Sequence, residues 1–297
     1  MKYVKFVLLF IVSSAFLFAN EHSVQEYFDL LNKAKEEKRW EDLLFYSNVI
    51  INDFSDSSLA KDTFFYKGVA LYNLSDYEPA NQSFSEYLKK QYSSEYFHEA
   101  LEYKFEIANS YKEGKRKRLL NIKKAPKWSS GRDDALAIYD EIISILPNNE
   151  IAAQSLFNKA AIFQYFEEYK EAIDSLQQLI RRFPKHALSP KSYLEIGKVY
   201  LKQMNPKHQD FSLVDAAELN LSKFELAFPG DKRHQELVDN IHKMTEVYSQ
   251  GLYEVGYFFE KTKKPNAASI YYSSIVSRFP DTEYGHKAQD GLERIQK

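Results

Sequence analysis

The chain has 297 residues, 44% of them hydrophobic and 28% charged, and its formal net charge of −2 becomes −4 without Lys2 and Lys5. This leaves enough apolar surface for a core and too little net charge for disorder, with no global attraction for nucleic acid or anionic lipid. The absence of cysteine removes disulfides, thiolate metal sites, a cysteine nucleophile and lipid attachment through a thiol.

Residues 1–19 read as an export signal. Lys2 and Lys5 supply positive charge, residues 6–18 are almost unbroken apolar sequence, and Ala19 offers a small residue at the cut. The stretch is shorter than the roughly 20 residues of a membrane-spanning helix, which favours cleavage. Leu17 is an imperfect partner for Ala19 in the small-x-small pattern, so an uncleaved leader anchored at the inner membrane stays open. Nothing after residue 20 is apolar enough to span a bilayer.

Residues 20–297 form a succession of amphipathic segments without sustained strand-like alternation, which predicts an all-α fold. Helix stops recur at Phe54-Ser55, Leu146-Pro147, Phe183-Pro184, Phe228-Pro229 and Phe279-Pro280, because proline cannot continue the ladder. Laying the tetratricopeptide period of about 34 residues on these stops tests for small residues where two helices must approach closely. The first unit, residues 24–56, is degenerate, with Leu31 and Leu43 at those two positions. Residues 61–94 carry Gly68 and Ala80, with Tyr92 where proline is expected. A further unit opens near Leu101 with Ala108 and Tyr111, and resumes at Ala135, Tyr139 and Ile142 after a basic insertion, residues 112–131. Residues 153–186 fit best, with Ala160 and Ala172 at the contact positions, Leu156, Phe163, Leu176 and Leu179 around them, and Pro184 closing the unit. The next unit keeps Tyr193, Gly197 and Tyr200, and needs extra residues at 205–213 before Ala217, Leu221 and Phe224 fall into phase. The last has Leu252, Gly256, Phe259, Ala268, Tyr272, Ile275 and Pro280, and its first helix, with no stop after Asp231, should begin near Lys232 as a rigid strut. The prediction is a tetratricopeptide-repeat (TPR) α-solenoid of about five to six helix pairs.

Counting five residues into each unit places Phe28, Phe65, Phe105, Phe157, Leu194 and Tyr253 on the face that first helices present. Either these rings pack against neighbouring helices, or Phe65, Tyr72, Phe105 and Phe157 line a peptide groove. Between residues 112 and 127 stand eight basic residues, including Lys115, Arg116, Lys117 and Arg118, against the single acidic Glu113. They form either a solvated loop or a contact for lipid headgroups or an acidic partner, nucleic acid being the remaining and least suited ligand for an exported chain. No Gly-rich phosphate loop, His-Glu-x-x-His helix or Gly-x-Ser-x-Gly elbow is present, and the scattered histidines, with His234 and His242 eight apart, make no metal set. No cofactor, metal, small-molecule substrate or catalytic activity is therefore predicted.

Val255-Gly256-Tyr257-Phe258-Phe259, Ala267-Ala268-Ser269-Ile270-Tyr271-Tyr272 and Phe279-Pro280-Asp281-Thr282-Glu283-Tyr284 resemble the final repeat of the BamD family, the tetratricopeptide subunit of the machine that inserts β-barrel proteins into bacterial outer membranes. Residues 54–60, Phe-Ser-Asp-Ser-Ser-Leu-Ala, are similar to that family's first repeat junction, and the resemblance spans roughly residues 24–297. It implies a periplasmic adaptor that docks on the barrel-forming subunit and receives unfolded barrel substrates, with Tyr253, Tyr257, Lys261 and Arg278 as docking candidates. BamD-type leaders usually end in a lipidated cysteine, whereas this one ends Phe18-Ala19-Asn20, so attachment to the outer membrane would depend on partners. The alternative is another periplasmic TPR protein, acting in cell-wall coordination or secretion.

Overall fold

The computed structural model describes residues 23–89, 95–118, 127–208 and 210–296. The predicted leader, Tyr92 and residues 119–126 of the basic insertion lie outside the described residues. The fold is all-α, with thirteen helices and one short two-stranded ladder among the described residues. Two compact units divide the chain, Met1–Ile138 and Tyr139–Lys297.

The first unit holds α1 (Val24–Glu36), α2 (Trp40–Asp53), α3 (Ser58–Asn73), α4 (Tyr77–Leu88), α5 (Phe97–Lys112), β1 (Arg116–Arg118), β2 (Lys127–Ser130) and the start of α6 (Arg132–Ile145). The second holds the end of α6, then α7 (Glu150–Tyr165), α8 (Tyr169–Arg182), α9 (Leu188–Gln203), α10 (Ser212–Ala227), α11 (His234–Lys261), α12 (Pro265–Arg278) and α13 (Glu283–Ile295). Where a loop was expected across the basic insertion, its shoulders form an antiparallel ladder, with Arg116 opposite Ser130 and Lys117 opposite Ser129.

Helix ends follow two recurring rules. Ser23 opens α1 with a capping box, its Oγ accepting from the Glu26 amide while the Glu26 carboxylate accepts from the Ser23 amide. Four pairs, α1–α2, α3–α4, α7–α8 and α11–α12, then turn on one residue of positive φ: Lys38 (55°), Ser75 (59°), Glu167 (62°) and Lys263 (57°). In each case the next residue's amide reaches five residues back, as from Arg39 to Ala34 at 2.8 Å and from Lys264 to Phe259 at 2.9 Å, closing a Schellman motif. The second helices of four pairs end in phenylalanine. Phe54, Phe183, Phe228 and Phe279 donate their amides to the carbonyls four residues earlier and leave the helix at φ between −127° and −137°. After three of them stands the proline that cannot continue the ladder.

Small residues close the pairs as the period predicts. Ala80, Ala108, Ala160, Ala172 and Ala268 are wholly buried. A β-carbon added to Gly68 would lie 2.6 Å from the Phe84 ring, and one on Gly256 would lie 2.8 Å from the Tyr272 ring, so glycine lets these helices touch.

Gly197 departs from this scheme. Its nearest neighbours are Leu237 and Asn240 of α11, not the partner helix α10, because the 28-residue α11 begins about three turns before its own repeat and lays those turns along α9. Leu237 buries with Tyr193, Leu194 and Phe224, and Met244 buries with Val214 and Ala217. The predicted strut is thus a packed helix whose first half completes the preceding pair and whose second half, through Leu252, joins Ala268, Tyr272 and Ile275.

One element was not anticipated. α13 follows the last repeat, capped by Thr282, whose hydroxyl accepts from the Gly285 amide, and by Glu246 of α11, which accepts from the Glu283 amide. Gly291 lies flat against the Tyr272 ring.

Candidate functional site

The period of the last repeat brings three of the docking candidates together. Tyr253, Tyr257 and Lys261 follow one another four residues apart on α11, so they share a face. The Tyr253 and Tyr257 rings stack at 6.1 Å and 15°, and the Lys261 ammonium lies 5.0 Å over the Tyr257 ring. α13 extends the surface with Tyr284, 5.7 Å from Tyr253, beneath the Lys287 ammonium at 4.5 Å. The result is a tyrosine platform edged by cations, in which Tyr257 remains 41% exposed.

A staple holds the platform from below. Arg294 makes two bonds of 3.1 Å to the two oxygens of Glu260, and Glu260 also accepts from the Tyr272 hydroxyl at 2.6 Å. The Arg294 guanidinium, then the Tyr272 hydroxyl, hold the Glu260 carboxyl below its usual range despite partial burial. Burial, then the bond to Glu260, pushes the Tyr272 hydroxyl up, so it stays a neutral donor. The Tyr272 ring, 5.4 Å from Tyr253, is the floor on which the platform rests.

Arg278 does not belong to this surface. Its guanidinium sits 4.2 Å over Phe211 and 5.2 Å over Phe279, because the end of α12 meets the loop entering α10. It packs on an aromatic cluster that includes Tyr248.

The groove candidates differ in burial. Phe65 is fully buried, stacked on Tyr96 at 4.4 Å and 7° and touching Phe84, Tyr87 and Tyr103. Its ring therefore builds the core of the first unit and is closed to a ligand. Tyr72 is half-buried, edge-on to Tyr103 at 5.0 Å, and Phe105 is half-buried on the following first helix. Phe157, in the second unit, packs beside Leu156 and Leu179 and beside Ala160 and Leu176. Leu194 is buried.

Of the four basic candidates, the Lys115 ammonium donates to the Tyr77 hydroxyl at 2.8 Å and lies over its ring. Arg116, Lys117 and Arg118 form β1. Sequence reasoning missed Lys104, whose wholly buried ammonium donates to the Asn81 side chain at 2.5 Å and to Ser85 at 2.6 Å. Leu101, Ala108 and Tyr111 place it on the apolar stripe of α5, and that position was the available signal. Among the described residues no group of three metal-ligating side chains gathers, and no helix is long and apolar enough to cross a membrane.

The tetratricopeptide repeat family model matches residues 154–186, which is the α7–α8 pair. Comparison with curated proteins finds no match. Solved structures to which the chain is similar include a TPR repeats protein from Bacteroides fragilis NCTC 9343, at 11% identity over 92% of this chain and 98% of that one, with a TM-score of 0.45. A tetratricopeptide repeat protein from Parabacteroides merdae ATCC 43184 is 10% identical over 92% and 99% of the two chains, with a TM-score of 0.38. A chain of the Naa15/Naa10 complex bound to HypK-THB is 14% identical over 92% of this chain and 39% of that one, with a TM-score of 0.43.

Proposed function

We propose that this TPR-type scaffold is a periplasmic, non-enzymatic adaptor of the outer-membrane β-barrel assembly machinery that docks on the barrel-forming subunit through its C-terminal platform. The observation that carries this reading is the surface that one C-terminal segment presents. Tyr253, Tyr257 and Tyr284, with Lys261 and Lys287, form an accessible aromatic surface edged by positive charge, and the same segment is the one whose residues resemble the final repeat of the BamD family. Tyrosines held by packing give large contact area at small entropic cost, which is why such rings serve as interface anchors. Unfolded barrel proteins are the second class of partner, and attachment to the outer membrane runs through the docked subunit.

A photoreactive residue at Tyr257, irradiated in the native envelope, tests this. The expected product is an adduct with the barrel-forming subunit. An adduct with a cell-wall or secretion component instead would replace the reading with the alternative role.

A further inference from the structure

We propose that the cleft between α8 and α10, floored by α9, is a second docking site, and that its occupant is an acidic amphipathic segment of a partner protein. The cleft has a volume of about 240 Å³, below the roughly 300–1,000 Å³ of small-molecule sites, so it suits one or two anchoring side chains of a polypeptide. Its walls are Ile180 of α8 and Leu219 of α10, and Ile196 and Tyr200 of α9 form the floor. The Asn220 amide, donating to the Tyr193 carbonyl at 2.9 Å, fixes α10 on α9 and holds the cleft at this width.

Two observations name the occupant. Leu219 is 57% exposed and Leu226 is 86% exposed. They stand seven residues apart on one face of α10, with Ser222 and Lys223 between them, so a second exposed leucine lies beyond the cleft on the same face. A single exposed leucine needs no explanation on a protein surface, whereas two leucines one heptad apart, one of them lining a cleft and a cation between them, fit the helix-in-groove mode of recognition. The second observation is charge. Arg181 and Lys223 line the cleft and no carboxylate does, and among the described residues neither cation has an ion-pair or hydrogen-bond partner. Cations nearby are engaged, Lys198 with Glu195 and Glu236, and Arg182 with the Pro147 carbonyl. Two unpaired cations beside the Ile180, Ile196 and Leu219 side chains of the cleft complement leucine-type anchors flanked by Asp or Glu.

The full chain is titrated into a fluorescein-labelled helical peptide with leucines four apart and glutamates beside them, and into its counterpart with lysines for glutamates, and anisotropy is followed. The acidic peptide binds, the Arg181→Glu/Lys223→Glu double variant weakens it about tenfold while strengthening the basic one, and Leu219→Asn weakens both. All three positions are at the surface, and unchanged circular dichroism confirms the fold. Equal binding of the two peptides, absence of binding, or indifference to the double variant overturns the proposal. So does self-association abolished by Leu219→Asn/Leu226→Asn, which would make a second copy the occupant. The Tyr257 adduct should persist in the double variant, so failure here and failure of the platform reading remain separate results.

Discussion

Lys38, Ser75, Glu167 and Lys263 occupy the same point of four helix pairs, each in the left-handed region. A side chain there costs roughly 1 kcal/mol, a cost glycine avoids. At the equivalent point after α5 the chain does use Gly114. Glycine at Glu167 or Lys263 should therefore stabilise the fold by about 0.5–1 kcal/mol after the entropy of the freer unfolded chain is counted, seen as a higher denaturation midpoint; a lower midpoint would mean that the native side chains make compensating contacts. These turns were illegible in the sequence because no glycine or asparagine marks them, whereas the Phe-Pro stops and the Ala or Gly contacts were legible because a missing amide and a missing side chain are properties of the residue itself. Phe65 shows the opposite limit. Counting along a helix gives a face, but only the partner helices decide that Tyr96 covers it.

At the scale of elements, α13 escaped prediction because the repeat template ends at Pro280, although Tyr284, Ala288, Leu292 and Ile295 carry helical spacing. Its attachment should depend on pH. The Glu260 carboxyl titrates lower in the folded chain than in the unfolded one, so its contribution is complete above the ordinary glutamate value of about 4.3 and is lost as pH falls through the depressed folded value. Hydrogen exchange of α13 amides should quicken over that acidic interval in the native chain. In Glu260→Gln the α13 amides should already exchange faster at neutral pH, and that acid-dependent increment should vanish. Identical profiles for the two proteins would remove the staple from the account. Gly197 was misassigned for an element-level reason: residue spacing identified a close contact, but the partner was set by how far α11 extends.

For the whole molecule, the two compact units differ in their reporters, since Trp40 and Trp128 both belong to the first. Gly68→Ala forces a β-carbon into the Phe84 ring and should cost about 1–3 kcal/mol, lowering the urea midpoint read by tryptophan fluorescence. Gly256→Ala strains the Tyr272 contact in the second unit, and should lower a circular-dichroism transition while leaving the tryptophan midpoint in place. Coincident shifts by both probes in both variants would make the chain one cooperative block. The fold class could be read from periodicity because nearest-neighbour helix contacts generate it; the tyrosine platform could be read only in part, since Tyr284 and Lys287 arrive on a helix outside the repeat. The 28-residue α11 has a further consequence for how such an array can change. Repeat chains lengthen or shorten by whole modules when each seam falls in a turn, but here the seam between the last two modules runs through the interior of a helix. Loss of the final module alone would strip Leu237 and Met244 from the residues they cover, so the preceding pair cannot shed its successor cleanly, while the seam between α8 and α9 falls in a turn.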